Sequence, residues 1–71
     1  MIRLIEIAGA PSSSNQAGFI ISSEADLANL PTTKIDSQVD GYRGTVTPMS
    51  YAVTNDGRIF VLGDDDQWRE W

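Results

Sequence analysis

The chain has 71 residues, a net charge of −5, no cysteine and no histidine. That size makes one small domain, residues 1–71, which buries only about 60% of its unfolded surface, and chains of this size rarely gain more than about 3–5 kcal/mol from a single core without a staple. Disulfides and ordinary structural zinc sites are excluded as staples, so another protein chain is the natural source of added stability. Nucleic acid is disfavoured as a partner because Arg3, Lys34, Arg43, Arg58 and Arg69 are scattered singly rather than gathered into a basic stripe. Anionic membrane surfaces are disfavoured for the same reason, and no apolar run approaches a membrane span.

In chain order, Met1 to Ala8 reads as a strand rich in Ile and Leu. Its alternation breaks between Leu4 and Ile5, which predicts a bulge or burial on both faces. Glu6 interrupts the short apolar run, so a strand is preferred to a signal peptide. Pro11 to Gln16 has loop composition, and Gly18 to Ser22 is a second strand. Ser23 to Leu30 reads as a single short helix, with Ser23 as cap and Glu24 and Asp26 at the positive end of its dipole. Pro31 ends it. Between Thr32 and Thr47 the pattern is weak; Lys34 to Val39 suits an irregular edge strand, and Gly41 and Gly44 flank Tyr42 and Arg43 as flexible points.

Pro48 marks the entry to the most strongly patterned segment, Ser50 to Trp71. Two β-rich runs flank Asn55-Asp56-Gly57, a strong hairpin signal. A two-residue loop of Asp56 and Gly57 would set Val53 opposite Phe60 and Tyr51 opposite Leu62, with Ala52, Thr54, Ile59 and Val61 on the other face. Both faces are then largely apolar, which predicts that one meets the rest of the chain and the other a second protein. A three-residue loop of Asp64 to Asp66 places Trp68 opposite Leu62. A four-residue loop including Gly63 would send it to the Val61 face; the former is preferred because it adds the indole to the larger apolar patch. Trp71 then faces away from Trp68. The fold class expected is mainly β, a small antiparallel meander, sandwich or open barrel with one short helix at about residues 23–30.

Chemistry is sparse. Without His or Cys the common bases, nucleophiles and thiolate ligands are missing, and Ser12, Ser13 and Ser14 have no recognisable activating base. Lys34, the single lysine, gives a Ser–Lys dyad no sequence support, and a glycosidase-type carboxylate pair would lack a cleft in so short a chain. The expectation is therefore no enzyme, no catalytic residue, no cofactor and no resident metal. Asp64-Asp65-Asp66 supplies hard oxygens, but the spacing does not match an EF-hand, so the run reads as an acidic turn able to meet Arg or Lys on a neighbour. Candidate partner contacts are Trp71, Arg69, Arg43, Tyr42, Ile59, Val61, Asp64, Asp65 and Asp66, since Tyr, Trp and Arg are enriched as interface anchors. Tyr42, Tyr51, Trp68 and Trp71 also form the raw material of a sugar-stacking platform.

Ser50, Ala52, Val53, Gly57, Ile59, Phe60, Val61, Leu62 and Trp68 form a tail that resembles the ending of small tailed-bacteriophage virion proteins of the head-decoration, head-fibre and neck or tail type. Asp26-Leu27-Ala28-Asn29-Leu30-Pro31-Thr32 is similar to the acidic-Leu-x-x-Leu-Pro-Thr stretch that often precedes such tails. The resemblance implies a structural protein of the virion, present in several copies as a homo-oligomer or assembly, with the major capsid protein or other virion proteins as partners. It transfers no catalytic residue. The competing expectations are a carbohydrate- or receptor-binding module of a fibre, and an acidic phage-encoded inhibitor of a host protein.

Overall fold

The computed structural model describes residues 2–7 and 14–71. Half of the expected loop, Pro11 to Ser13, lies outside the described residues, as does the end of the first strand at Ala8; Ser14 and Asn15, expected in that loop, form a short strand instead. The strands are β1 (Ile2–Ile7), β2 (Ser14–Asn15), β3 (Ala17–Ile21), β4 (Thr45–Val46), β5 (Tyr51–Thr54), β6 (Ile59–Leu62) and β7 (Trp68–Glu70). Five of them form one open sheet in the order β1-β3-β5-β6-β7, and β2 pairs separately with β4. The chain is mainly β, as its sequence implies, and among the described residues no closed barrel forms.

Strand β1 runs antiparallel to β3, with Leu4 opposite Phe19 and Glu6 opposite Gly18. Ile5 is the extra residue of a bulge, at the point where the alternation breaks. The bulge re-phases the strand so that Leu4 and Ile7, three positions apart, both pack against the core. Every second residue of β3, namely Ala17, Phe19 and Ile21, is buried.

The sheet is not antiparallel throughout. Strand β5 lies parallel to β3, with Phe19 opposite Ala52 and Ile21 opposite Thr54. Parallel neighbours need a crossover, and residues 22–50 supply it. This segment covers one face of the sheet, and its Leu30, Val39, Tyr42 and Val46 close the core over Phe19, Ala52, Phe60 and Leu62.

The crossover begins with a 3-10 helix, Glu24–Asn29, and ends at Leu30 and Pro31. The expected Ser23 cap is absent. Ser23 is extended and makes no side-chain cap bond; instead the Asp26 carboxylate accepts the Ser22 N–H at 2.9 Å. Lys34 to Val39 forms no strand. Thr32 Oγ1 accepts the amides of Lys34 and Ile35, and Ser37 Oγ accepts that of Val39, so local side-chain bonds hold the loop in place of a ladder.

Both hairpins use three-residue loops. In the first, Val53 pairs with Ile59, Ala52 with Phe60 and Tyr51 with Val61, one residue away from the expected register. Thr54 and Arg58 close the loop through Thr54 N–H to Arg58 O at 2.9 Å and Arg58 N–H to Thr54 Oγ1 at 2.9 Å. Gly57 takes the left-handed position at φ +91°, the conformation a three-residue loop demands at its third residue. The extra loop residue turns β5 over relative to β6. Ala52, Thr54, Phe60 and Leu62 face the core, while Tyr51, Val53, Ile59 and Val61 face away from it.

The second hairpin follows the expected register, with Leu62 opposite Trp68 and Val61 opposite Arg69. Asp66 holds the equivalent left-handed position at φ +68°, which Asp tolerates better than most residues.

Candidate interaction face

The registers align the outward-facing residues into two rows across the sheet. One runs Arg3, Ile20, Val53, Ile59 and, by the bond from Trp71 N–H to Ile59 O at 2.8 Å, Trp71. The other runs Glu6, Gly18, Tyr51, Val61, Arg69. Apart from Tyr51 the middle of this face is aliphatic, and its four corners carry Arg3, Trp71, Glu6 and Arg69. Ile59 is 42% and Trp71 82% exposed, and the bulge residue Ile5 is 46% exposed at the β1 edge. Among the described residues no segment covers this side, whereas the crossover covers the other.

The face is kept smooth by Gly18. The Tyr51 ring lies across it, so a Cβ there would come within 2.8 Å of Tyr51 Cε1. From that position the Tyr51 hydroxyl donates to Glu6 Oε1 on the edge strand. The bond, together with the nearby carboxylate charge, raises the phenol above its ordinary range.

Trp71, Arg69, Ile59 and Val61 therefore come together as partner candidates on one face. Arg43 is exposed but belongs to the crossover, on the covered side. Tyr42 is a correction: it is 5% exposed, its hydroxyl donating to Thr45 O and accepting the Asn15 N–H at 3.1 Å. The two glycines flanking Tyr42 and Arg43 suggest an exposed tip. The tyrosine instead fills the space left over the sheet and pins β2 to the crossover.

The acidic turn is engaged mostly within the chain. Asp65 pairs with Arg69 at 2.5 Å, and this hydrogen bond holds its carboxyl below the usual range. Asp66 accepts the Thr33 hydroxyl at 2.6 Å and the Thr33 amide at 2.7 Å, which lowers it likewise. Asp64 is exposed. The carboxylates point to different partners, and among the described residues no group of three acidic, His or Cys side chains is placed to hold a metal ion.

The four aromatics proposed for a sugar platform do not share a surface. Tyr42 is in the core, and Trp68 packs on the core side with its indole N–H donating to Pro31 O at 3.1 Å. Tyr51 and Trp71 lie outside, in different rows.

Sequence reasoning missed Arg58. It donates to Glu24 at 2.7 Å and to Glu70 at 2.9 Å, and its guanidinium lies 4.9 Å from the centre of the Phe60 ring. It thus ties the helix to β6 and β7 over the edge of the core. Its partners are distant in sequence, so no local pattern announces it. Glu6 and Tyr51 were equally hidden, because their facing depends on a bulge and on loop length.

No family model, curated protein or solved structure matches this chain. What the fold and face define is a mainly β domain whose five-stranded sheet has, among the described residues, one covered and one uncovered side.

Proposed function

We propose that the chain is a structural protein of a tailed-bacteriophage particle, a decoration or minor component present in several copies, that docks on neighbouring virion proteins, copies of itself among them, through the uncovered face of its sheet. The observation that carries this reading is the outward apolar row in which Ile59 and Trp71 are exposed and Val53 is half-buried, on a domain too small to leave such surface bare without loss. The tail resemblance, from Ser50 through Trp68, supplies the context of a particle. Trp71 is the anchor, since hot spots are enriched in Trp, Tyr and Arg and its indole is the most exposed of the large apolar side chains. Arg69, Arg3 and Glu6 at the corners set the orientation of docking.

The test is sedimentation velocity of the purified chain alone and mixed with capsid-size particles from its source. Saturable, stoichiometric co-sedimentation is expected. Trp71→Ala is expected to weaken it by about 2 kcal/mol, or ~30-fold in Kd. A folded chain that ignores the particle at high concentration overturns the reading.

A further inference from the structure

The corners of the uncovered face carry a pattern that names a partner. Arg3 and Trp71 end one row, and Glu6 and Arg69 end the other. The two cations therefore occupy one diagonal of the face. The two groups that attract cations, a carboxylate and an indole, occupy the other. A twofold axis lying in the plane of the face exchanges the diagonals.

We infer that this face binds a second copy of the same chain, sheet against sheet, in an isologous dimer. With the axis along the strands and beneath β5, the central strand, each row lies over its own reverse. Arg3 then meets the partner copy's indole, Glu6 meets its Arg69 position, and Val53 meets its own equivalent. With the axis across the strands, Arg3 meets the Glu6 position and Arg69 meets the indole. Either arrangement puts each cation over a carboxylate or an aromatic face and no like charges together. Two stacked sheets sit about 10 Å apart with strands within about 30° of alignment, so long corner side chains reach across while the aliphatic middle closes. An isologous contact must be self-complementary in this way; a face shaped for an unrelated protein has no such requirement. Asp65 occupies one edge of the Arg69 guanidinium, and its fork retains further donors.

The inference rests on the reading that the uncovered face is a protein contact and names its occupant. The test uses paired charge reversals in sedimentation velocity over a concentration series. The parent chain is expected to dimerise. Glu6→Arg, Arg69→Glu and Arg3→Glu are each expected to weaken self-association about tenfold or more, because each sets like charges together or places a carboxylate over the indole. Mixing Glu6→Arg with Arg69→Glu restores a dimer if the axis runs along the strands. Mixing Glu6→Arg with Arg3→Glu restores it if the axis runs across them.

Restoration in either mixture supports the dimer. A monomeric parent, or single variants that dimerise like the parent, overturns it, as does failure of both mixtures. Circular dichroism of each variant separates lost association from lost fold. Should Glu6→Arg unfold through loss of the Tyr51 bond, Val53→Glu replaces it: two carboxylates meeting near an along-strand axis, or one meeting Tyr51 near the other, abolish the dimer, and undiminished dimerisation overturns the inference. A monomer that still binds the particle through Trp71 overturns the dimer and leaves the virion reading standing. A dimer that ignores the particle does the reverse.

Discussion

Tyr51 and Gly18 are neighbours on adjacent parallel strands, and the ring of one occupies the space where the side chain of the other would be. Gly18→Ala is therefore an overpacking change, although it adds only a methyl group. The expected cost is about 1–3 kcal/mol, or roughly 4–8 °C in Tm for each kcal/mol in a domain of this size. Tyr51→Val removes the obstructing ring, so the double variant is expected to be more stable than the sum of the two single losses. Thermal unfolding of all four proteins checks this, and simple additivity would contradict it.

Gly57 provides a contrast, because a Cβ there meets nothing within 4 Å. The cost of Gly57→Ala is backbone strain at φ +91°, expected at about 1 kcal/mol. Unlike the Gly18 change, no second-site truncation relieves it. A substitution to Asn, which tolerates the left-handed region, is expected to recover part of the loss in a denaturant titration.

Ser50 is fully buried and joins the starts of β3 and β5. Its Oγ accepts the Ala17 N–H at 3.1 Å and donates to Thr47 O at 2.8 Å. Ser50→Ala leaves a buried amide without that acceptor, and a loss of about 1–3 kcal/mol is expected in urea unfolding. Tyr42→Phe does the same to the Asn15 amide.

Acid is expected to weaken the fold. Asp66 and Asp65 titrate below their ordinary range because Thr33 and Arg69 donate to them, and Glu70 does so because of Arg58. The folded state thus binds fewer protons than the unfolded chain as pH falls through the carboxylate region. Stability from these groups is fully present above about pH 5 and is lost progressively below it. Tyr51 acts at the other end: its raised phenol keeps its proton in the fold, so stability declines as pH rises past about 10. Urea midpoints measured from pH 2 to 11 check both limbs. Thr33→Val, which removes one donor to Asp66, is expected to make the acid limb shallower.

The two tryptophans report on opposite sides of the sheet. Trp71 is 82% exposed, whereas Trp68 is half-buried and bonded to Pro31. Acrylamide quenching at low protein concentration is expected to show one accessible and one protected emitter, and Trp71→Phe to remove the accessible one. Equal protection of both would contradict the placement of Trp71.

Local signals carried the fold as far as local physics reaches. The β1 bulge was legible because Leu4 and Ile5 break an alternation that burial otherwise enforces. The Trp68 register was legible because the indole needs the larger apolar face. The Asn55-Asp56-Gly57 turn was visible, but its loop length was not. Thr54 accepts the Arg58 amide through its side chain, lengthening the loop by one residue and exchanging the faces of β5. That exchange moved Tyr51 and Val53 onto the interaction face and Ala52 and Thr54 off it. The parallel pairing of β3 with β5 was hidden because its partners lie far apart in sequence. Tyr42 was misplaced for the same reason: its burial depends on what the crossover folds back onto.

That crossover also sets the tempo of folding. Strands β5, β6 and β7 follow one another through tight loops, and such hairpins form in about 1–10 μs. Joining β3 to β5 requires residues 22–50 to close a long loop first, and non-local closure of this kind slows folding. A chain cleaved within that segment would hold β1–β3 and β5–β7 on separate pieces. Its refolding would change from a first-order to a second-order process, with a rate that rises in proportion to fragment concentration.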